Sequence, residues 1–109
     1  MSNKNLIKPT KAESLILNRR RMRLNQHEAA LRLGLTYDEY RSWEEPGSER
    51  GPRQNLGVIK PYEVCYLLRR RSGKTQKEIA KAIGMSRLWV LRMEAGQAPV
   101  ERLREYWDI

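Results

Sequence analysis

The sequence predicts an all-α fold that contains two tandem copies of one small helical unit and no sheet. Residues 11–47 align with residues 61–97 at a constant offset of fifty and without a gap, which is the pattern of a duplicated supersecondary unit. Apolar residues in both copies recur at helical spacing, and no segment alternates between apolar and polar residues over a useful length. Each copy also carries a glycine and a hydroxyl residue at the same relative positions, where one helix would end and the next begin.

The matches between the copies fall on residues that define helix ends, turns and charge. The identities are Glu13/Glu63, Leu17/Leu67, Arg19–Arg21/Arg69–Arg71, Gln26/Gln76, Glu28/Glu78, Ala30/Ala80, Gly34/Gly84 and Glu44/Glu94. Each copy takes about half of the 109 residues, a length that is marginal for an independent core. We therefore expect the copies to share packed helices, with one helix over residues 62–72 serving both. The predicted organisation is a flexible N-terminal arm (1–10), a first helix-turn-helix unit (11–48), a linker (49–60) and a second unit (61–109).

Three helices are predicted in the first copy. The first helix covers residues 11–22, with leucine and isoleucine at 15–17 on its buried side. Asn25 and Glu28 form a capping-box pattern at the start of a second helix over residues 26–33. The residues expected to be buried in this second helix are Ala29, Ala30 and Leu33.

The turn after the second helix is assigned to Gly34, because a helix end often requires a left-handed residue and glycine has no Cβ to clash. Thr36 is expected to cap the third helix. Tyr40 and Trp43 lie three residues apart in that helix and should face inward, and Pro46-Gly47 should end it.

The second copy repeats these signals more clearly. Thr75 and Glu78 form the capping box of a helix over residues 76–83, Gly84 makes the turn, and Ser86 caps the next helix. The inward-facing residues of that helix are expected to be Val90 and Met93.

The segment between the copies has loop chemistry at residues 46–52, and Pro61 is a favourable first residue for the helix over 62–72. Apolar residues in this segment that we expect to dock are Leu56, Val58 and Ile59. A last helix is predicted from Pro99 to about Trp107. Its apolar stripe consists of Val100, Leu103 and Trp107.

The charge and composition restrict the classes of partner. The net charge is +9 and the sequence pI is about 10.1, which favours a polyanion, with nucleic acid the first candidate and an anionic membrane the second. No stretch is apolar for long enough to span a membrane, and no signal peptide is recognised.

Cys65, the only cysteine, lies in an apolar helical stretch and is expected to be a small core residue in a reducing cytoplasm. His27, the only histidine, has no neighbours at metal-ligand spacing, so no metal is expected.

One spacing carries the functional prediction, namely Gln-x-x-x-Ala-x-x-x-Gly-x-Ser/Thr. It is formed by Gln26, Ala30, Gly34 and Thr36 in the first copy, and by Gln76, Ala80, Gly84 and Ser86 in the second. The small alanine lets two helices cross closely, the glycine makes a tight turn, and the hydroxyl caps a helix whose N-terminal side chains enter the DNA major groove. On these residues both copies resemble the Cro and phage-repressor (Xre-like) helix-turn-helix family, over residues 13–45 and 63–97.

The resemblance implies roles for individual residues. A glutamine at the start of the second helix contacts a phosphate in this family, a role that falls on Gln76 and Gln26. The other candidate phosphate contacts are Lys74, Thr75 and Lys77. Family members also pair an arginine of the first helix with a glutamate late in the reading helix. The matching structural pairs are Arg69 with Glu94 and Arg19 with Glu44.

Base reading in this family comes from the first, second and sixth residues after the helix cap. In the second copy these are Arg87, Leu88 and Arg92, with Trp89 adjacent to them. Arginine recognises the O6 and N7 atoms of guanine, and leucine packs on a thymine methyl group. The alternatives are a solvated basic face for the arginines and a core or interface position for Trp89.

The first copy departs from this pattern, because its residues at the reading positions are not basic. The matching residues are Tyr37, Asp38 and Ser42, and Arg41 is the single basic residue between Thr36 and Glu45, against Asp38, Glu39, Glu44 and Glu45. Acidic groups repel phosphates, so we expect the second copy to be the principal reader and the first to be a secondary reader or a protein-contact module.

These observations indicate two classes of function. The first is a small cytoplasmic transcriptional regulator, bacterial or phage-encoded and associated with the nucleoid, which binds double-stranded DNA as a repressor. The second is an antitoxin or anti-defence protein that binds a protein partner through the acidic first unit. Two arrangements on DNA are open: one chain reads an asymmetric site with both copies, or two chains form a homodimer, which the acidic first copy slightly favours. The homodimer would form through the C-terminal helix, by way of Val100, Leu103, Tyr106, Trp107 and Ile109. No enzymatic activity or cofactor is expected, because no nucleophile–base pair or metal cluster is suggested by spacing. No small-molecule ligand is expected, because the length outside the two units leaves no room for a pocket of ordinary size.

Overall fold

The computed structural model describes residues 7–109, which contain seven α-helices and no strand and thus confirm the all-α prediction. The chain divides into two compact units, residues 8–57 and residues 58–109. The first unit holds α1 (Lys11–Arg21), α2 (Gln26–Leu33) and α3 (Tyr37–Trp43). The second unit holds α4 (Pro61–Ser72), α5 (Gln76–Ile83), α6 (Arg87–Glu94) and α7 (Glu101–Trp107).

Reciprocal capping boxes fix where several helices begin. The boxes predicted at Asn25 and Thr75 are both formed, and Thr36 makes another with Glu39. Thr10 and Glu13 make one more at the start of α1, which was not among the predicted caps. Thr10 is therefore the N-cap of α1. The rest of the predicted arm lies in part outside the described residues, which start at residue 7.

The two predicted turn glycines adopt the left-handed conformation, with φ of 68° at Gly34 and 70° at Gly84. In each unit the next backbone N–H bonds back across the turn at 2.9 Å, from Leu35 to Ala30 and from Met85 to Ala80. These turns set α2 against α3 and α5 against α6. They explain why the glycine recurs in both copies, since an L side chain is strained at this φ.

The core of the second unit is closed by its last helix. Cys65, Val90 and Met93 are fully buried, as predicted, and burial raises the pKa of the Cys65 thiol to about 12. α7 packs on α4 and α5, and Leu103 is completely buried there. The other apolar residues that pack against this core are Met85, Trp89, Ala98, Val100, Tyr106, Trp107 and Ile109. The side of α7 that was expected to form a dimer is therefore used inside its own unit.

The first unit has no helix after α3. At the offset of fifty, α7 corresponds to residues 51–57, Gly-Pro-Arg-Gln-Asn-Leu-Gly, whose glycines and proline disfavour a helix. This segment lies in the predicted linker, but it packs on α1. The backbone N–H of Gln54 donates to Ser14 Oγ at 3.1 Å, and the side chain of Asn18 donates to Gln54 Oε1 at 3.3 Å.

Gly51 is buried because the chain passes very close to its neighbours at this point. A Cβ on Gly51 would lie 2.6 Å from Leu15 Cδ1 and 2.9 Å from Trp43 Cε3. Val58, which was expected to dock, is instead 85% exposed, and Leu56 and Ile59 are half-buried.

The prediction that Leu33 is buried is wrong. Ala29, Ala30 and Tyr40 form the buried cluster at the α2–α3 junction, with Leu35 and Trp43 packed against it, but Leu33 is 53% exposed. Its counterpart Ile83 is only 8% exposed. The physical reason is the missing helix, because a helix comes after α6 in the second unit and a non-helical segment comes after α3 in the first.

Candidate nucleic-acid interface

The exposed side of α6 carries the predicted base-reading residues of the second unit. Ser86 caps the helix, since its Oγ accepts the backbone N–H of Trp89 at 3.1 Å. Val90 and Met93 face the core, which leaves the opposite side of the helix in solvent. The exposed residues there are Arg87, Leu88, Leu91 and Arg92. Two guanidinium groups and two exposed leucines thus occupy one face of an eight-residue helix.

Leu91 was not among the predicted site residues, although it is 42% exposed beside Leu88 at 54%. The sequence spacing could have indicated this exposed position, because Leu91 comes three residues after Leu88 and therefore lies on the same side of the helix. Trp89 is in a different position. Its ring is half-buried and packs against the core of the second unit, to which Val90 and Met93 also belong. Of the two positions considered for Trp89, this one matches packing on the core and not an exposed base-reading position.

A buried ion pair ties α6 to α4, as the resemblance implied. Arg69 Nε donates to Glu94 Oε2 at 2.8 Å, while Glu94 is only 1% exposed. Arg69 also donates to the backbone carbonyl of Lys74 at 3.2 Å, and Gln76 Nε2 donates to Glu94 Oε1 at 3.1 Å. One carboxylate therefore connects α4 and α5 to the end of the candidate reading helix.

The first unit contains the same network. Arg19 Nε donates to Glu44 Oε2 at 2.7 Å, and Gln26 Nε2 donates to Glu44 Oε1 at 2.9 Å. In addition to the predicted phosphate contact, each of the two glutamines has a structural contact, because its side-chain amide donates to a buried carboxylate. An amide nitrogen has two N–H groups, so a glutamine held in this way still has one to donate to a phosphate.

The remaining candidate phosphate contacts cluster at the beginning of α5. Thr75 is used as the helix cap, since its Oγ1 accepts the backbone N–H of Glu78 at 3.1 Å. Lys74 and Lys77 are exposed. Lys74 Nζ donates to the hydroxyl of Tyr106 at 2.6 Å, and this hydrogen bond raises the pKa of Lys74. A helix N-terminus with two exposed lysines is suited to an anion.

The corresponding face of the first unit is occupied by local contacts. The rings of Tyr37 and His27 stack, with centroids 3.8 Å apart and planes 7° from parallel, and the Tyr37 hydroxyl lies 3.4 Å from Gln26 Oε1. Arg41 lies over the Tyr37 ring at 5.5 Å and forms a 3.6 Å ion pair with Asp38. The groups that would read bases in this unit therefore bind one another.

Ser42 is engaged as well, and by a residue to which the sequence had assigned no role. Its Oγ donates to the backbone carbonyl of Glu39 at 2.7 Å and accepts from Arg50 Nη1 at 2.9 Å. Hydrogen bonds from the backbone N–H and the hydroxyl of Thr36 lower the pKa of Glu39, so its charge persists to more acidic pH. The exposed carboxylates Asp38 and Glu39 keep the start of α3 acidic, whereas the first turn of α6 has no acidic residue.

Within residues 7–109, no three His, Cys, Asp or Glu side chains are grouped as a metal site would require. In the same part of the chain, no helix has the length and apolar character needed to cross a membrane.

Comparison with known families identifies a helix-turn-helix domain at residues 67–106. The match begins in the middle of α4, includes all of α5 and α6, and ends within α7. A domain of this type indicates a DNA-binding regulator in general. No curated protein and no solved structure matched the chain. The matched segment contains the exposed face of α6 and the Arg69–Glu94 pair, so the family match and the geometry point to the same unit.

Proposed function

We propose that this protein is a sequence-specific DNA-binding regulator of transcription that reads the major groove mainly with α6. The observation that carries this proposal is the exposed face of Arg87, Leu88, Leu91 and Arg92 within the matched helix-turn-helix domain. Arginines on a helix that enters the major groove select guanine, and leucine methyl groups pack on thymine. The net charge of +9 supplies the general attraction to phosphate.

The finer proposal is that of a small repressor of the phage or autoregulating type, similar to Xre-like regulators, which acts in the cytoplasm by occluding a promoter. The mode of control proposed with it is the concentration of the protein itself. Tyr37, Asp38, Arg41 and Ser42 are proposed as a secondary surface at most, because they are engaged with one another and with their neighbours.

The second class of function, binding of a protein partner by the acidic first unit, is favoured by one observation. Asp38 and Glu39 are exposed at the start of α3, whereas the other two reading positions of that helix, Tyr37 and Ser42, are held by local contacts. Two aromatic residues of α3, Tyr37 and Trp43, do not add an exposed patch to these carboxylates. Tyr37 is stacked on His27, and Trp43 packs against the core of the first unit.

Selection of bound sites from random DNA with the full chain tests the proposed function. We expect recovery of one sequence motif whose guanines are lost when the selection is repeated with Arg87→Ala. Arg32→Ala provides a matched control, because it removes an equal charge from an exposed position of the first unit. Failure to enrich any motif, or equal motifs from the wild type and Arg87→Ala, would contradict reading by α6. Sedimentation of the protein on the selected site then gives the number of chains bound.

A further inference from the structure

The first unit has an open apolar groove where the second unit has a buried surface. The groove has a volume of about 450 Å³, and its lining includes Leu15, Met22, Ala29, Arg32, Leu33 and Tyr40. Met22 is 44% exposed and Leu33 is 53% exposed, although both are large apolar side chains. These two side chains leave apolar surface beside the groove that another apolar side chain could cover.

The internal repeat shows what kind of element fits this surface. At the offset of fifty, Leu15, Ala29, Leu33 and Tyr40 correspond to Cys65, Ile79, Ile83 and Val90, which all belong to the core that α7 closes. Leu15, Ala29 and Tyr40 are buried in the first unit too, so Leu33 is the one of these four that stays exposed. α7 does so with Leu103, which is fully buried, and with Trp107 one turn later. In the first unit the corresponding residues 51–57 are not helical, and only Gln54 of this segment lines the groove. The first unit thus lacks the helix that its repeat contains.

The charges around the groove select the chemistry of the occupant. Arg32 lines the groove and is exposed, and it stands where the second unit has Ala82. Met22 and Leu24 flank the exposed Arg23, directly after the basic last turn of α1. A helix with acidic residues beside its apolar stripe is complementary to this rim. A second copy of this chain is not, because two grooves facing each other would bring the same arginines together.

We propose that the groove of the first unit binds an acidic amphipathic helix of a partner protein, which lies beside residues 51–57 and covers Leu33. The occupant presents two large apolar side chains spaced four residues apart, as Leu103 and Trp107 are, with carboxylates on both sides of them. The protein would then combine a DNA-reading unit with a unit that receives a partner helix. This site is separate from the acidic face of α3 and does not depend on the proposed DNA specificity.

A synthetic peptide of residues 98–109 that carries Arg102→Glu and Arg104→Glu is a direct probe, with a lactam bridge on its polar side to hold the helix. Fluorescence anisotropy with the full-length protein is expected to show saturable binding. Leu33→Glu in the protein should weaken that binding at least tenfold. The unmodified peptide should bind more weakly than the acidic one, and the difference should shrink as salt is added.

Leu31→Glu is the matched control, because Leu31 is 82% exposed on the same helix and does not line the groove. We expect it to change peptide binding by less than twofold. Both leucines are exposed, so both variants should keep the helical circular dichroism and melting temperature of the wild type, and a Leu33→Ala variant gives the same test with less perturbation. Absence of saturable binding, or equal loss with both variants, would overturn the proposal. Leu33-dependent self-association in sedimentation would also overturn it, because a second copy would then be the occupant.

Discussion

Arg69 and Glu94 form an ion pair at 2.8 Å that joins α4 to the last residue of α6, and Arg19 and Glu44 repeat it at 2.7 Å in the first unit. In both units the glutamate is at most 4% exposed and accepts a further hydrogen bond from a glutamine. A buried carboxylate of this kind is stable only while its donors remain, because an unpaired buried charge is costly. Each run of three arginines, residues 19–21 and residues 69–71, therefore contributes one structural residue, Arg19 or Arg69, to such a pair.

Replacement of Arg69 by alanine is expected to reduce the free energy of unfolding by about 3–5 kcal/mol, because it leaves Glu94 buried without its cation. Urea unfolding followed by circular dichroism measures the change. Arg70→Ala is the neighbouring control, since Arg70 is exposed, and it should change stability by less than about 0.5 kcal/mol. An Arg69→Ala protein as stable as the wild type would refute the structural role of the pair.

Replacement of Arg87 by alanine is expected to cost about 1–3 kcal/mol in affinity for the selected site, with little loss on random DNA. Lys77→Ala should instead weaken binding to both DNAs by a similar factor and lower the slope of affinity against salt by about one unit, as loss of a phosphate contact does. Gel-shift titrations at several salt concentrations separate these outcomes. If Arg87→Ala left the ratio of cognate to random affinity unchanged, α6 would not be the reading helix.

Replacement of Gly51 by alanine is expected to destabilise the first unit by about 1–3 kcal/mol, because the added methyl group would meet Leu15 and Trp43 in packed surroundings. Thermal unfolding of the full chain measures this loss. Asn55→Ala is the control in the same segment, because Asn55 is exposed. A Gly51→Ala protein with the wild-type melting temperature would show that residues 51–57 are not packed on α1 as described.

The capping box of α5 predicts a dependence of stability on acid. Hydrogen bonds from the backbone and hydroxyl of Thr75 lower the pKa of Glu78 below its ordinary value of 4.5. A lowered folded-state pKa gives stability that is fully present above 4.5 and is lost as the pH falls through the lowered value. Unfolding free energies measured between about pH 7 and about pH 2.5 should therefore fall less steeply for Glu78→Gln than for the wild type, and identical slopes would contradict the assignment.

A fragment of residues 1–60 is expected not to melt cooperatively. Its unit has only about 50 residues and an open apolar groove, and chains of this size bury too little surface to be reliably stable. Calorimetry of the fragment measures this, with the full chain as the reference. A sharp unfolding transition for residues 1–60 would show that the first unit is an independent domain.

The secondary structure was largely predictable because its signals are local. Capping pairs such as Asn25 with Glu28, and turn glycines such as Gly34 and Gly84, act over three or four residues and can be identified in the sequence. The Arg69–Glu94 pair spans 25 residues, and its expected role came from the family resemblance. The exposure of Leu91 was missed, although the spacing from Leu88 indicated it.

The sequence by itself determined the number and type of helices, their caps and turns, and the difference in charge between α3 and α6, because these depend on neighbours along the chain. Tertiary structure alone decided which apolar side chains are covered. Leu33 and Ile83 occupy equivalent positions in similar helices, yet one is exposed and the other buried. The difference depends on residues 51–57 of the first unit, which are not helical, and on the equivalent residues of the second unit, which form α7. Burial requires a partner surface, and whether that surface arrives is set by packing between distant segments rather than by local preference.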